Sequence, residues 1–299
     1  MLSRAYWMRS LAQNPIPAAK LPLLAERVYA KCDPADGAKD GLVSDPLHCG
    51  FSPAKDLPRC TAGSAANTCF TASEIEAITR LYADVPRQGQ RFFPGWPAGA
   101  EVVGPNGQSA WLGQMVRTAD GRSVWASYAR DFLGYLAFPR TDADQAMANF
   151  DLDKELPRLD YLHSVIDASD PDLSAFQRRG GKLLMYFGWA DPQLNARVAV
   201  EYYEQVRAKL GESTGDFARL FMVPGMFHCG GGIGTSTFDT ATPLIRWVEA
   251  GQAPATIPAS QITNGKAVRT RPLCPHPQIA RYQGSGSLDD ATNFRCVAP

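Results

Sequence analysis

Two residues in this chain have the side chains and the setting for general acid–base chemistry, Asp191 and His228. Each follows a short apolar run bounded by turn formers. KLLMYFGW ends directly before Ala190 and Asp191, and FARLFMVPG ends a few residues before His228. Continuous apolar runs of this length read as buried strands. Both side chains should then emerge at the carboxyl edge of one parallel sheet, where open α/β sheets place their ligands. A carboxylate beside an imidazole fixes the tautomer and stabilises the imidazolium formed when the ring takes a proton from a nucleophile. By residue type alone, an aspartate and a histidine at strand ends are more often a cap and a packed imidazole.

Aspartate followed by histidine matches the order of the last two members of an α/β-hydrolase triad. The first member would be a serine in a Gly-x-Ser-x-Gly elbow, where a strained turn exposes the hydroxyl and a backbone N–H helps form the oxyanion hole. The 299 residues are read as holding no such motif, so the chain is expected to lack its nucleophile. GSGS at 284–287 lies after the histidine and has no buried strand before it, so it is rejected. A metal hydrolase built on His228 and Cys229 is disfavoured, since no HExxH or second histidine motif accompanies them.

A second cluster lies between Cys32 and Cys49. There DPADGAKDGLVSD sets three carboxylates within eight residues, with glycines that permit sharp turns. Hard cations such as calcium favour oxygen ligands of this kind. The spacing D-x-x-D-G-x-x-D-G is not an EF-hand, and composition alone favours a solvated acidic turn.

The elements that must position these residues fall into two textures. Leu21 to Ala30 has helical apolar spacing, and residues 71–83 restore it after a loop-rich stretch. Thr71 is placed to cap, with Glu74 three positions on completing a capping box. From Gly89 to about Gly121 the chain is rich in Gly, Pro and Trp without a period, and Trp125 to Leu136 reads as a further helix. Beyond Asp170 the order becomes strand, helix (195–210), strand, helix (239–250), the pattern of a parallel sheet covered on both faces. On the first of these helices Ala199, Tyr202, Val206 and Leu210 are expected on or near one face. On the second, Leu244, Ile245, Trp247 and Val248 form the apolar side.

With 299 residues, 45% hydrophobic and 10% aromatic, the chain can bury a large core. Thirty basic side chains balance thirty acidic ones, so no global field would draw it to nucleic acid or to an anionic membrane, and a small, nearly neutral partner is expected. No apolar run approaches a membrane span, and the first fifteen residues lack a signal-type stretch. The protein is therefore cytoplasmic or its natural start is absent. Six of seven cysteines fall into close pairs, Cys32 with Cys49, Cys60 with Cys69 and Cys274 with Cys296, none spaced as a zinc or redox motif. They read as disulfides formed in an oxidising compartment, the alternative being free buried thiols. Cys229 is left over.

Several segments resemble tannases, bacterial feruloyl esterases and the related hydrolases of mono(2-hydroxyethyl) terephthalate. These are IPAAKLPLLAERVYAKCDPADGAKDGLVSDPLHC, DPDLSAFQRRGGKLLMYFGWADP, FARLFMVPGMFHCGGG and RPLCPHPQIARYQGSGSLDDATNFRC. The resemblance covers nearly the whole chain, and MFHCGGG with the acidic cysteine loop is its most specific part. It implies a partial α/β-hydrolase with a large, mostly irregular and helical lid, residues 1–165 holding the lid after a remnant of the core and 166–299 the carboxyl-terminal part of the core. Asp191 and His228 would complete a triad with an upstream serine, and the partner of Cys229 would be the cysteine before that serine. Structural calcium would be bound by Asp33, Asp36 and Asp40 with the carbonyls of Ala38 and Leu42. The implied substrate is a small aromatic ester, with no organic cofactor and a secreted or periplasmic location. Lid aromatics such as Trp96, Trp111, Trp125, Tyr128 and Phe132 could stack on a phenolic acid, though most are expected in the core. The rival expectation is an inactive fragment or pseudoenzyme that retains calcium binding, with strand edges and apolar faces uncovered and low stability.

Overall fold

A computed structural model describes residues 1–101, 110–138 and 142–299. Its buried side chains gather into one core built from residues 2–159 with Ala190 and Phe227, and two smaller ones built from residues 189–273.

The first core is helical. α1 (Leu2–Gln13) buries Leu2, Ala5, Trp7, Met8 and Leu11, which recur at helical spacing. α2 (Leu21–Cys32) starts with a proline in its first turn, where a missing N–H costs nothing. α3 (Ala72–Tyr82) carries the expected capping box. Thr71 Oγ1 accepts from the Glu74 N–H at 3.2 Å, and Glu74 Oε2 accepts from the Thr71 N–H at 2.8 Å. Glu74 also takes the buried Lys20 ammonium at 2.7 Å, tying the start of α2 to the start of α3. The stretch from Gly89, read as lacking a period, starts inside a hairpin, β1 (Val85–Arg87) against β2 (Gln90–Phe93). α4 runs from Val124 to Asp131 and continues as a π-helical turn through Ala137.

Trp7, Trp96 and Trp125 meet at the centre of this core, with ring centroids 4.5 to 5.9 Å apart. Trp96, Trp111 and Trp125 are all buried. Of the aromatics singled out for substrate stacking, Tyr128 is exposed and Phe132 half-buried; the tryptophans are structural because burying so much ring surface is what stabilises an otherwise irregular segment.

In the second half, β3 (Leu183–Gly188) and β4 (Ala218–Val223) pair in parallel, Leu183 with Ala218 through Gly188 with Val223. α5 (Ala196–Leu210) crosses between them. Its buried stripe is Ala196, Val200, Tyr203 and Val206, one position from the expected face, because the Tyr203 hydroxyl donates to the Ala218 carbonyl at 3.1 Å while Tyr202 reaches out to the Asp170 carbonyl. β4 is buried on both faces, Leu220 and Met222 in a core with Val200, Tyr203 and Val206 of α5, and Phe221 and Val223 in another with Ile257, Ala259 and Leu273; the exposed part is at β3 and α6. α6 (Ala241–Ala250) buries only Trp247, and Ile245, Val248 and Tyr186 of β3 are exposed. Among the described residues, β3 has no neighbour on its outer side.

Antiparallel strands that the sequence pattern did not reveal close the chain. β5 (Ile257–Thr263) pairs with β6 (Lys266–Leu273), and β7 (Ile279–Tyr282) with β8 (Phe294–Val297). Disulfides join Cys32 to Cys49, Cys60 to Cys69 and Cys274 to Cys296, as the spacing predicts.

Candidate active site

Asp191 leaves β3 and His228 leaves β4, so the parallel pairing delivers both to the same sheet edge. Contact between their loops depends on Gly188. A Cβ there would lie 2.3 Å from the Met226 carbonyl oxygen, inside any tolerable separation, so only glycine lets the loop before His228 lie against the end of β3. The Ala190 N–H then donates to the Met226 carbonyl at 3.2 Å. Past His228 the chain turns through Cys229, with φ +60° and an exposed thiol, into three consecutive glycines with positive φ.

His228 Nδ1 lies 2.9 Å from Asp191 Oδ2. An ionised carboxylate only accepts, so Nδ1 carries the proton and Nε2 presents its lone pair. The other carboxylate oxygen, Oδ1, accepts the N–H groups of Gln193 at 2.7 Å and Leu194 at 3.0 Å. Asp191 is buried, whereas the histidine side chain is 35% exposed. A buried, oriented acid beside an accessible imidazole is the arrangement that acid–base chemistry requires.

The literal pattern Gly-x-Ser-x-Gly does occur once, as GESTG at 211–215, and the expectation that the chain holds none is corrected on that point. It is no elbow. Ser213 lies in a single 3₁₀ turn before β4, with no strand leading into it, and its hydroxyl exchanges hydrogen bonds with the Leu210 carbonyl and the Gln177 amide. It sits at the opposite end of β4 from His228, roughly 20 Å away for a strand of this length.

In the acidic loop, Asp33 accepts the N–H groups of Asp40 and Gly41, both at 3.1 Å, and Asp36 accepts the Ala38 N–H at 2.9 Å and the Ser44 hydroxyl at 2.6 Å. Asp40 accepts the Leu42 N–H at 3.1 Å and is bound by the buried guanidinium of Arg271. Loss of water raises the Asp33 carboxyl, and raises that of Asp36 to about 6, with the neighbouring acids adding to both. With Lys39 and Asp45 counted, four carboxylates in the loop face two basic side chains, Lys39 and Arg271, and the loop is net negative. Among the described residues, no three His, Cys, Asp or Glu side chains are gathered to hold a metal by themselves. A cation here would need main-chain oxygens, for which the Ala38 and Leu42 carbonyls stand in the same loop.

Sequence reading missed Arg4 and Asn195. The Arg4 guanidinium binds the Gln193 carbonyl, and the buried Asn195 amide donates to the carbonyls of Pro94 at 2.8 Å and Gly95 at 3.1 Å. Asn195 could have been found as a helix cap, since its oxygen accepts the Arg197 N–H at the start of α5. Nothing local marked Arg4.

Strand order, loops at one sheet edge and an oriented Asp–His pair define an α/β protein of the hydrolase type. A family model described as tannase and feruloyl esterase matches residues 2–297, and the chain belongs to that family. Among curated relatives, the mono(2-hydroxyethyl) terephthalate hydrolase of Piscinibacter sakaiensis is 36% identical, over 94% of this chain and 52% of its own. A probable feruloyl esterase of Arthroderma benhamiae is 30% identical, over 98% of this chain and 57% of its own. Feruloyl esterase B from Aspergillus oryzae superposes on 99% of this chain and 61% of its own, with a TM-score of 0.84 at 23% identity. The chain spans about half the length of the curated relatives it matches. No helix among the described residues is long and apolar enough to cross a membrane.

Proposed function

We propose that this chain supplies the acid and base of a carboxylic ester hydrolase acting on small esters of aromatic, phenolic acids. The observation that carries the reading is the 2.9 Å bond between buried Asp191 and accessible His228. His228 Nε2 takes the proton from a serine hydroxyl as that oxygen attacks the ester carbonyl. It then gives the proton to the leaving alcohol, and repeats the cycle with water to release the acid. Asp191 holds the ring and offsets the imidazolium charge. The serine is placed outside these 299 residues, in polypeptide that also offers a cysteine to Cys229. Calcium in the Cys32–Cys49 loop, held by Asp33, Asp36 and Asp40 with the carbonyls of Ala38 and Leu42, supports structure, not chemistry. Three disulfides favour a secreted or periplasmic setting.

A second reading, an inactive chain that keeps calcium binding, is favoured by the unpaired outer edge of β3 among the described residues and by the exposed side chains of Tyr186, Ile245 and Val248. Hydrolysis of methyl gallate, methyl ferulate and a p-nitrophenyl ester separates the two. The comparison is between this chain and a version extended upstream in its source DNA through a Gly-x-Ser-x-Gly. Turnover by the extended protein that His228→Ala abolishes supports the esterase. Its absence in both leaves the inactive reading. Turnover by the short chain, lost in His228→Ala, would place the nucleophile within these residues and overturn the assignment of the serine.

A further inference from the structure

The two peptide groups that hold Asp191 are themselves held from behind. The Pro192 carbonyl and the Gln193 N–H belong to one planar amide, and the Gln193 carbonyl and Leu194 N–H to the next. On their inner side both N–H groups donate to Asp191 Oδ1, at 2.7 and 3.0 Å. On their outer side the Pro192 carbonyl accepts the indole N–H of Trp125 at 2.9 Å, and the Gln193 carbonyl accepts the Arg4 guanidinium. An amide plane cannot turn at one end without turning at the other, so each outer donor fixes the direction of the N–H that faces the carboxylate. A donor on the carbonyl also polarises the amide and strengthens its N–H as a donor.

Both outer donors are rigid. Trp125 is fully buried, 4.5 Å from the ring of Trp96, and Arg4 lies 5.6 Å over the rings of Trp125 and Tyr128 with only 7% of its surface exposed. The loop is pinned again one residue further on by Asn195, through the carbonyls of Pro94 and Gly95. Pro192, having no N–H and a fixed φ, removes one way for the loop to relax.

We propose that Trp125 and Arg4 are positioning residues for ester hydrolysis, which act through the Pro192–Gln193 and Gln193–Leu194 peptides to aim Asp191 at His228. The first helical core thereby governs the orientation of an acid that belongs to the parallel sheet. The functional half of this statement rests on the esterase reading above; the clamp itself does not.

The test uses the ¹⁵N-labelled chain with Trp125 replaced by benzothienylalanine, which keeps the bicyclic shape but has no N–H, and separately with Arg4→Met and Arg4→Lys. Amide hydrogen exchange is read at Gln193 and Leu194, together with the Nδ1–H proton resonance of His228, which is sharp only while bonded to Asp191. The benzothienyl residue should speed exchange at Gln193 by about tenfold, and Arg4→Met that at Leu194, each broadening the His228 resonance. Arg4→Lys should restore Leu194. In the upstream-extended protein, each substitution should lower kcat about tenfold with KM unchanged, and neither should act further in an Asp191→Asn background. Unchanged exchange and an unchanged His228 resonance in both folded variants would overturn the proposal. Loss of protection in an extended protein that hydrolyses no ester would uphold the clamp and remove the esterase reading instead. If the Trp125 variant does not fold, the two Arg4 variants decide.

Discussion

Glu101 allows a prediction with a worked magnitude. Its carboxyl is completely buried, accepting the Tyr82 hydroxyl on one oxygen and the Gly99 N–H at 2.9 Å on the other. Burial pushes it up to about 7 from its ordinary 4.5, and the hydrogen bonds it accepts from Tyr82, its own N–H and Gly99 only partly oppose that rise. In the unfolded chain the group returns to its ordinary value. Between these two pH values the unfolded state has released a proton that the folded state keeps, so stability must fall as pH rises through the window. The contribution is absent below about pH 4.5 and complete above about pH 7. Its size is 7 minus 4.5, about 2.5 units, or about 3 kcal/mol at 1.36 kcal/mol per unit. Glu101→Gln keeps the shape, and its amide group can donate to a rotated Tyr82 hydroxyl while its oxygen accepts from Gly99. Urea unfolding followed by tryptophan fluorescence, at several pH values from about 4 to 7.5, should show the variant gaining about 3 kcal/mol on the parent as pH rises. Because both proteins share every other titrating group, the difference isolates Glu101. A difference that stays within about 0.5 kcal/mol, or one of opposite sign, would refute the reasoning.

Gly188→Ala should push the Met226 carbonyl away and part the Asp191 and His228 loops, costing about 1–3 kcal/mol in urea unfolding and the greater part of any ester hydrolysis. Asp191→Asn in the upstream-extended protein should leave the fold intact and lower kcat by about 10⁴, read with methyl ferulate at constant KM. If the acidic loop binds calcium, saturating the metal at about a hundredfold over its Kd should add about 2.7 kcal/mol, seen as a higher midpoint of thermal unfolding; a chelator or Asp36→Asn should abolish the gain. Cys32→Ser with Cys49→Ser should lower stability by about 2–4 kcal/mol and weaken the calcium response, both measurable in the same melts.

The parallel strands and their intervening helix were legible because continuous apolar runs between glycine signals leave little choice of structure, and the Asp191 and His228 loops came with them. The capping box at Thr71 was legible for a similar reason, since all its chemistry lies within four residues. Elements whose stability is decided across the chain were not. α1 hides its apolar stripe among Arg4 and Arg9, whose guanidinium groups are spent on the carbonyls of Gln193 and Phe150, far away in sequence. β6, KAVRTRPL, mixes arginines with small residues; Arg271 is buried only because Asp40 and the ring of Phe294 come to meet it. The face of α5 was misplaced by one position because a tyrosine may be buried if its hydroxyl finds a carbonyl, and Tyr203 found one where Tyr202 did not.

The same division explains where mutational sensitivity around the site should fall. Asp191 is held by main-chain N–H groups on one oxygen and by His228 on the other, so no neighbouring side chain touches it in a way that a motif would record. What fixes those N–H groups comes from Trp125, Arg4 and Asn195, up to 189 positions away in sequence. Substitutions there should couple strongly with Asp191→Asn, because they act through one carboxylate. Substitutions at Lys20 and Glu74, a buried ion pair in the same core that does not reach the acid loop, should add independently of it. A double-mutant cycle that found Lys20→Met as strongly coupled to Asp191→Asn as Arg4→Met is would mean that the core acts on the site through general stability alone, and that the peptide relay carries nothing specific.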